Sequence, residues 1–92
     1  MKFIYEENKI DLMDDTTVVG EVTFYHSTED TIIADHAYID DNYRGNGFGA
    51  NLVEKLVEYA REKKLYVIPQ CSFVKKEFDE HPEYSDIIKS EN

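Results

Sequence analysis

Three glycines in five residues, Gly45, Gly47 and Gly49, stand between two patterned segments, and that placement restricts the fold more than any other feature of the chain. Before them, Thr31 to Ile39 is rich in β-branched and apolar residues and reads as a strand. Simple alternation expects Ile33, Ala37 and Ile39 on one face and Ile32, Ala34, His36 and Tyr38 on the other. After the glycines, Leu52, Val53, Leu56, Val57 and Ala60 recur at helical spacing. Glu54, Glu58, Arg61 and Glu62 fall on the opposite side, and Lys63 and Lys64 complement the negative end of that helix. Leu65 to Pro69 is a short apolar run. Strand, loop, helix, strand makes one crossover unit, whose two strands are parallel if they are neighbours.

The remaining segments supply antiparallel partners. Lys2 to Glu6 alternates weakly and can pair with Ile10 to Met13 across a polar Glu7-Asn8-Lys9 turn. Thr16 to Tyr25 is a stronger strand, and His26 to Asp30 reads as the turn that follows it. Short polar connections of this kind imply a meander. Beyond Pro69, a second helix is expected from Cys71 to Phe73 onward toward Glu80. His81-Pro82 interrupts it, and Glu83 to Lys89 is left for a last turn or short helix. The fold class is therefore α+β, with a mixed sheet made of an antiparallel meander, one crossover helix and a parallel strand pair, then a C-terminal helix. The 92 residues leave room for a single domain, 1–92, because a chain of this size buries only about two thirds of its unfolded surface.

Charge narrows the partners. The chain carries a net charge of −10, and Met1 to Tyr43 hold 11 acids against 2 bases while Arg44 to Asn92 hold 9 against 8. That balance argues against nucleic acid, whose phosphates would be repelled. The acidic half is either a solvated surface or a face for a cationic substrate, and the near-neutral half tolerates an anionic cofactor. A lone cysteine, Cys71, excludes an internal disulfide, and with three histidines it never reaches a zinc spacing, so no metal is expected. The N-terminus lacks a signal-length apolar stretch, and no segment approaches the ~20 apolar residues of a membrane span. The expectation is a soluble, cytoplasmic monomer.

The glycine loop itself points to anion binding. Glycines let backbone N–H groups approach an anion without side chains in the way. The helix start adds unpaired donors and a positive dipole end. No Lys-Ser or Lys-Thr follows, so this is not a nucleotide-triphosphatase loop. Gly45 to Ala50 formally matches the dinucleotide fingerprint G-x-G-x-x-G/A. It is rejected because a meander precedes it, because the chain is too short for a doubly wound sheet, and because Pro69-Gln70-Cys71 stands where the ribose-binding acid would be.

Tyr43-Arg44-Gly45-Asn46-Gly47-Phe48-Gly49-Ala50-Asn51-Leu52 resembles the acetyl-coenzyme A motif of the GNAT N-acetyltransferase superfamily, Arg/Gln-x-x-Gly-x-Gly/Ala, with Arg44, Gly47 and Gly49 at its defining positions. The resemblance continues through Tyr66-Val67-Ile68-Pro69, Cys71-Ser72-Phe73-Val74 and His81-Pro82-Glu83-Tyr84, over residues 31 to 88, and is similar to a compact subfamily of about this length. It implies acetyl-coenzyme A as cofactor. Its pyrophosphate would lie on Arg44, Gly45, Asn46, Gly47, Phe48, Gly49 and Ala50, and its pantetheine arm along the strand edge at Tyr38 and Ile39. It also implies acetyl transfer to a primary amine, such as a lysine side chain, a polyamine or a small amine. Ordinary members are longer, with an N-terminal helical region at the acceptor site. The Thr28 to Thr31 turn is too short to supply one, so the acceptor site is expected to be open, and an acyl-coenzyme A-binding module or sensor is the alternative.

The candidate catalytic residues are Cys71 and His36. Cys71 follows a strand and opens a helix, where it could accept acetyl, line the thioester pocket or simply pack as a small apolar side chain. His36 is the candidate general base because its ordinary pKa lies near neutrality, with a plain edge position as the other reading. Tyr84 could protonate the departing thiolate, though packing with Pro82 suits it as well. Lys75 and Lys76 could meet the cofactor's 3′-phosphate or be solvated.

Overall fold

The computed structural model describes residues 1–89. Five strands form one sheet in sequence order, β1 (Lys2–Glu6), β2 (Lys9–Asp14), β3 (Thr17–Thr28), β4 (Thr31–Ile39) and β5 (Tyr66–Pro69). The first three pairings are antiparallel and β4–β5 is parallel, as the crossover requires. The connection between β4 and β5 is helix α1 (Phe48–Lys63), and α2 (Ser72–Glu80) follows β5.

Each hairpin turn is only two residues long, and its chemistry is local. Asp15 sits at φ 56, a left-handed conformation that aspartate tolerates better than most residues. Between β3 and β4, the Asp30 carboxylate accepts the hydroxyls of both Thr28 and Thr31, each at 2.9 Å. This clamp carries β3 through His26 to Thr28, which had been expected to be a turn. Pro82–Ile87 forms a 3-10 helix, and Ile88 then runs beside Val67 of β5, with Lys89 N–H donating to Val67 O at 2.9 Å.

One departure from simple alternation positions the site. Thr23 pairs with His36 while Phe24 pairs with Ala34, so Asp35 is an extra residue on β4. Such a bulge turns the following side chains over. Before it, Ile32 and Ala34 face the helices. After it, Ala37 and Ile39, paired with Val22 and Gly20, face them too. Ile33, His36 and Tyr38 share the other side with their partners Tyr25, Thr23 and Glu21. The alternation expected from sequence therefore fails across Asp35, where Thr23 Oγ1 donates to the Asp35 carboxylate at 2.7 Å.

The core lies on one side of the sheet only. Ile10, Leu12, Val22, Phe24, Ile32 and Val67 are buried there against Leu52, Val53, Leu56, Val57 and Ala60 of α1 and Val74 and Phe78 of α2. Each of these side chains larger than alanine contributes roughly 1.5–3 kcal/mol on burial, so this single layer of contacts carries most of the hydrophobic stabilisation. Arg61 ties the 3-10 segment to α1, donating to Glu83 O at 2.7 Å and to the Asp86 carboxylate at 2.9 Å.

Candidate cofactor-binding site

The start of α1 is shaped by backbone rather than by a side-chain cap. Gly47 is its N-cap at φ 78, and the first bond into the helix runs from Asn51 N–H to Gly47 O at 3.1 Å. The N–H groups of Phe48, Gly49 and Ala50 therefore have no acceptor within the helix. Gly45 is also left-handed, at φ 84, and a Cβ on either Gly45 or Gly47 would meet nothing within 4 Å. Their backbone thus borders open space, and any other residue there would be strained.

Short bonds fix this loop to the sheet. Asp40 N–H donates to Val19 O at 2.8 Å, and the Asp40 carboxylate accepts Asn42 N–H at 2.9 Å. The Tyr43 hydroxyl donates to the Asp14 carboxylate on β2 at 2.7 Å, and this bond raises the tyrosine's pKa. Arg44 Nε donates to Ile39 O at 3.1 Å and lies 3.2 Å from the Asp41 carboxylate.

Next to the loop, β4 and β5 separate. Their pairing ends at Ala34 and Pro69, where Ala34 O accepts both Gln70 N–H at 3.0 Å and Cys71 N–H at 2.9 Å. From Asp35 to Ile39, β4 has β3 on one side and no strand on the other among the described residues. A cavity of about 540 Å³ opens there, between the β4 edge, the glycine loop, the start of α1 and the side of α2. That size suits a cofactor-scale ligand.

Of the residues anticipated for the cofactor, Tyr38, Ile39, Arg44, Gly45, Gly47, Phe48, Gly49 and Ala50 line this cavity. Asn46 does not, because its side-chain amide turns back to Tyr43 O at 3.2 Å. Gly49 differs from the other two loop glycines: a Cβ there would stand 2.6 Å from Cζ of Phe73, so the position is kept small by α2. His36 and Cys71 are outside the lining. His36 is exposed on the helix-free side of the sheet, and half-buried Cys71 is the N-cap of α2 at the point where the strands part. Tyr84 is buried against Phe78 and His81, and Lys75 and Lys76 are exposed, with Lys75 3.6 Å from Asp79. Among the described residues no group of three or more His, Cys, Asp or Glu could hold a metal ion, and no helix is long and apolar enough to cross a membrane.

Sequence reasoning missed the α2 wall, Phe73 and Glu77. The available signal was an acid on an apolar helical stripe, since Glu77 is buried together with Val74 and Phe78. His81 Nε2 lies 3.5 Å from Glu77, and His81 Nδ1 lies 3.1 Å from Glu83. The hydrogen bond with Glu83, aided by the charges of Glu77 and Glu80, raises the His81 pKa.

Comparison with known proteins bears on the whole chain. A family model described as GCN5-related N-acetyl-transferase matches residues 7–87, which extends the resemblance from Thr31 back through β3 and β2. A search of curated proteins gives no match. Among solved structures, a GCN5-like protein from Staphylococcus aureus is 30% identical over 99% of this chain and 90% of that one, with a TM-score of 0.80. A Mycobacterium tuberculosis protein in complex with coenzyme A is 21% identical, covering 83% of this chain and 48% of that one at a TM-score of 0.64. A GNAT family acetyltransferase from Elizabethkingia anophelis with acetyl-coenzyme A bound is 12% identical, covering 83% and 51% at a TM-score of 0.61. The last two share the fold in chains of which this one spans about half. By its family match and its mixed five-stranded sheet, the chain belongs to the GCN5-related N-acetyltransferases.

Proposed function

We propose that the chain, acting as one domain over residues 1–92, transfers the acetyl group of acetyl-coenzyme A to a primary amine: a lysine side chain, a polyamine or a small amine. The observation that carries this reading is the convergence of three features on one cavity. Left-handed Gly45 and Gly47 leave bare backbone, the start of α1 offers unpaired N–H donors, and β4 leaves an edge without a strand. Phe48, Gly49 and Ala50 N–H groups, with the positive end of the helix, suit a pyrophosphate. The edge at Tyr38 and Ile39 suits the pantetheine arm, and Arg44 flanks it.

Transfer requires that the acceptor ammonium lose a proton and the neutral amine attack the acetyl carbonyl. The C–N bond then forms, the C–S bond breaks, and the departing thiolate takes up a proton. Cys71 N–H is held by Ala34 O where β4 and β5 part, and His36 follows Ala34 by two residues on β4. In this reading His36 takes the amine proton, and Cys71 lines the thioester or accepts acetyl. The acidic N-terminal half favours a cationic acceptor, met by a cytoplasmic monomer. A second reading, a binding module with little turnover, is favoured by the absence of His36 and Cys71 from the cavity lining.

Titration of acetyl-coenzyme A with amide NMR, followed by an acetylation screen over lysine peptides, polyamines and small amines, tests both. Shifts in Tyr38 to Leu52 and around Cys71, with turnover on one acceptor class, support the enzyme. Binding with silence on every acceptor supports the module, and no binding at millimolar cofactor refutes both.

A further inference from the structure

Among the described residues Glu77 is the one acid lining the cavity, and it is 9% exposed. Withdrawing a carboxylate from water this far costs free energy unless polar or charged partners stand beside it. His81, one helical turn on, fills that role at 3.5 Å, a contact long enough to leave the carboxylate's acceptor capacity largely unused. The imidazole is itself fixed, stacked on Tyr84 with ring centroids 4.9 Å apart and held by Glu83 at 3.1 Å on its other nitrogen. The cavity thus has two chemically opposite walls. The start of α1 presents N–H donors, and α2 presents a fixed anionic acceptor.

These walls suit different parts of the cofactor. Phosphates are repelled by a carboxylate and attracted by the helix start. The arm between the pyrophosphate and the thioester is uncharged and carries amide N–H groups and hydroxyl, which donate. We infer that Glu77 accepts hydrogen bonds from the donors of this arm, with His81 as the positioning residue that aims the carboxylate, so that the two walls set the direction in which the cofactor lies. The inference rests on the acetyl-coenzyme A reading of the cavity.

Calorimetric titrations of coenzyme A and of 3′-phosphoadenosine 5′-diphosphate, the same nucleotide without the arm, separate the two claims. Glu77→Ala is expected to weaken coenzyme A about ten- to a hundredfold, the range for hydrogen bonds to a charged acceptor, and to leave the nucleotide unchanged. Glu77→Gln, which keeps the shape and one acceptor oxygen, is expected to fall between. His81→Gln, which retains a donor, is expected to keep more arm-dependent affinity than His81→Ala. Unchanged or tighter coenzyme A binding by Glu77→Ala would overturn the inference, as would an equal loss for both ligands. If neither ligand binds the unaltered protein, the cavity reading fails along with it.

Discussion

Gly49→Ala tests why the third glycine of the loop is small. Its Cβ would stand 2.6 Å from Phe73 Cζ and 3.0 Å from Cε2, where ordinary carbon contacts lie at about 3.5–4.0 Å. The Phe73 ring must therefore move by roughly 1 Å, away from α1 and within the cavity wall. Two terms oppose each other. Overpacking costs about 1–3 kcal/mol, while replacing a helical glycine by alanine returns about 1 kcal/mol. The net expectation is a loss of about 0–2 kcal/mol, with a fall in Tm of up to roughly 15 °C for a domain of this size. Cofactor affinity should fall as well, because the displaced ring lines the cavity. Thermal melts and calorimetry on Gly49→Ala, Phe73→Leu and the double variant form a cycle. Leucine removes the ring tip, so alanine at 49 should be better tolerated beside it, with a coupling of about 0.5–3 kcal/mol. Strict additivity, or a Gly49→Ala variant that leaves cofactor binding and Tm unchanged, would refute the claim that α2 dictates this glycine.

Three further outcomes follow from the packing and charges. Leu56→Ala, at a fully buried position of α1, should cost about 2–5 kcal/mol, enough to bring so small a domain close to unfolding in a urea melt. Tyr43→Phe should lower Tm and weaken cofactor binding together, because it releases the glycine loop from Asp14 on β2 without altering the cavity's lining carbons. Stability should peak on the acid side of neutrality. The raised His81 pKa gives a contribution complete below the imidazole's ordinary 6.5 and lost as pH rises through its folded value. Asp30, Glu83 and Asp86, lowered by hydrogen bonds from Thr28 and Thr31, from backbone and His81, and from Arg61, give contributions present above the ordinary carboxylate range. These are lost as pH falls through the folded values. Melts from pH 3 to 9 on the unaltered protein and on His81→Asn, which should lose the alkaline limb and keep the acid limb apart from the share that His81 lends Glu83, check this sign.

Much of this architecture was legible because local pattern and tertiary structure agree. The α1 stripe from Leu52 to Ala60 and the apolar run of β5 could be placed from spacing, and the glycine loop between them follows. Where a long-range partner decides, the sequence was silent. The reach of β3 through Ser27 and Thr28 depends on its pairing with β4 and on the Asp30 clamp, while the residues themselves are turn-like. The role of Gly49 is legible only once Phe73 is known to lie against it. Glu77 stands among Lys75, Lys76, Asp79 and Glu80 in the sequence, and the packing of α2 turns it inward beside Val74 and Phe78.

The bulge at Asp35 makes β4 a strand with two reading frames. Ahead of it, the chain is committed to closing the sheet with β5; behind it, the same strand forms a cavity wall. Which residues belong to the wall is then a matter of register: the bulge absorbs Asp35, and Ala37 and Ile39 stay opposite Val22 and Gly20. Substitutions at Ala37 or Ile39 can only adjust the wall. Deleting Asp35 would leave that register intact, with His36 following Ala34 in regular alternation and still opposite Thr23; what would turn the wall over is Asp35 drawn into the regular ladder. One residue gained here without a second bulge would therefore send Ala37 and Ile39 out, whereas the loss of Asp35 would not.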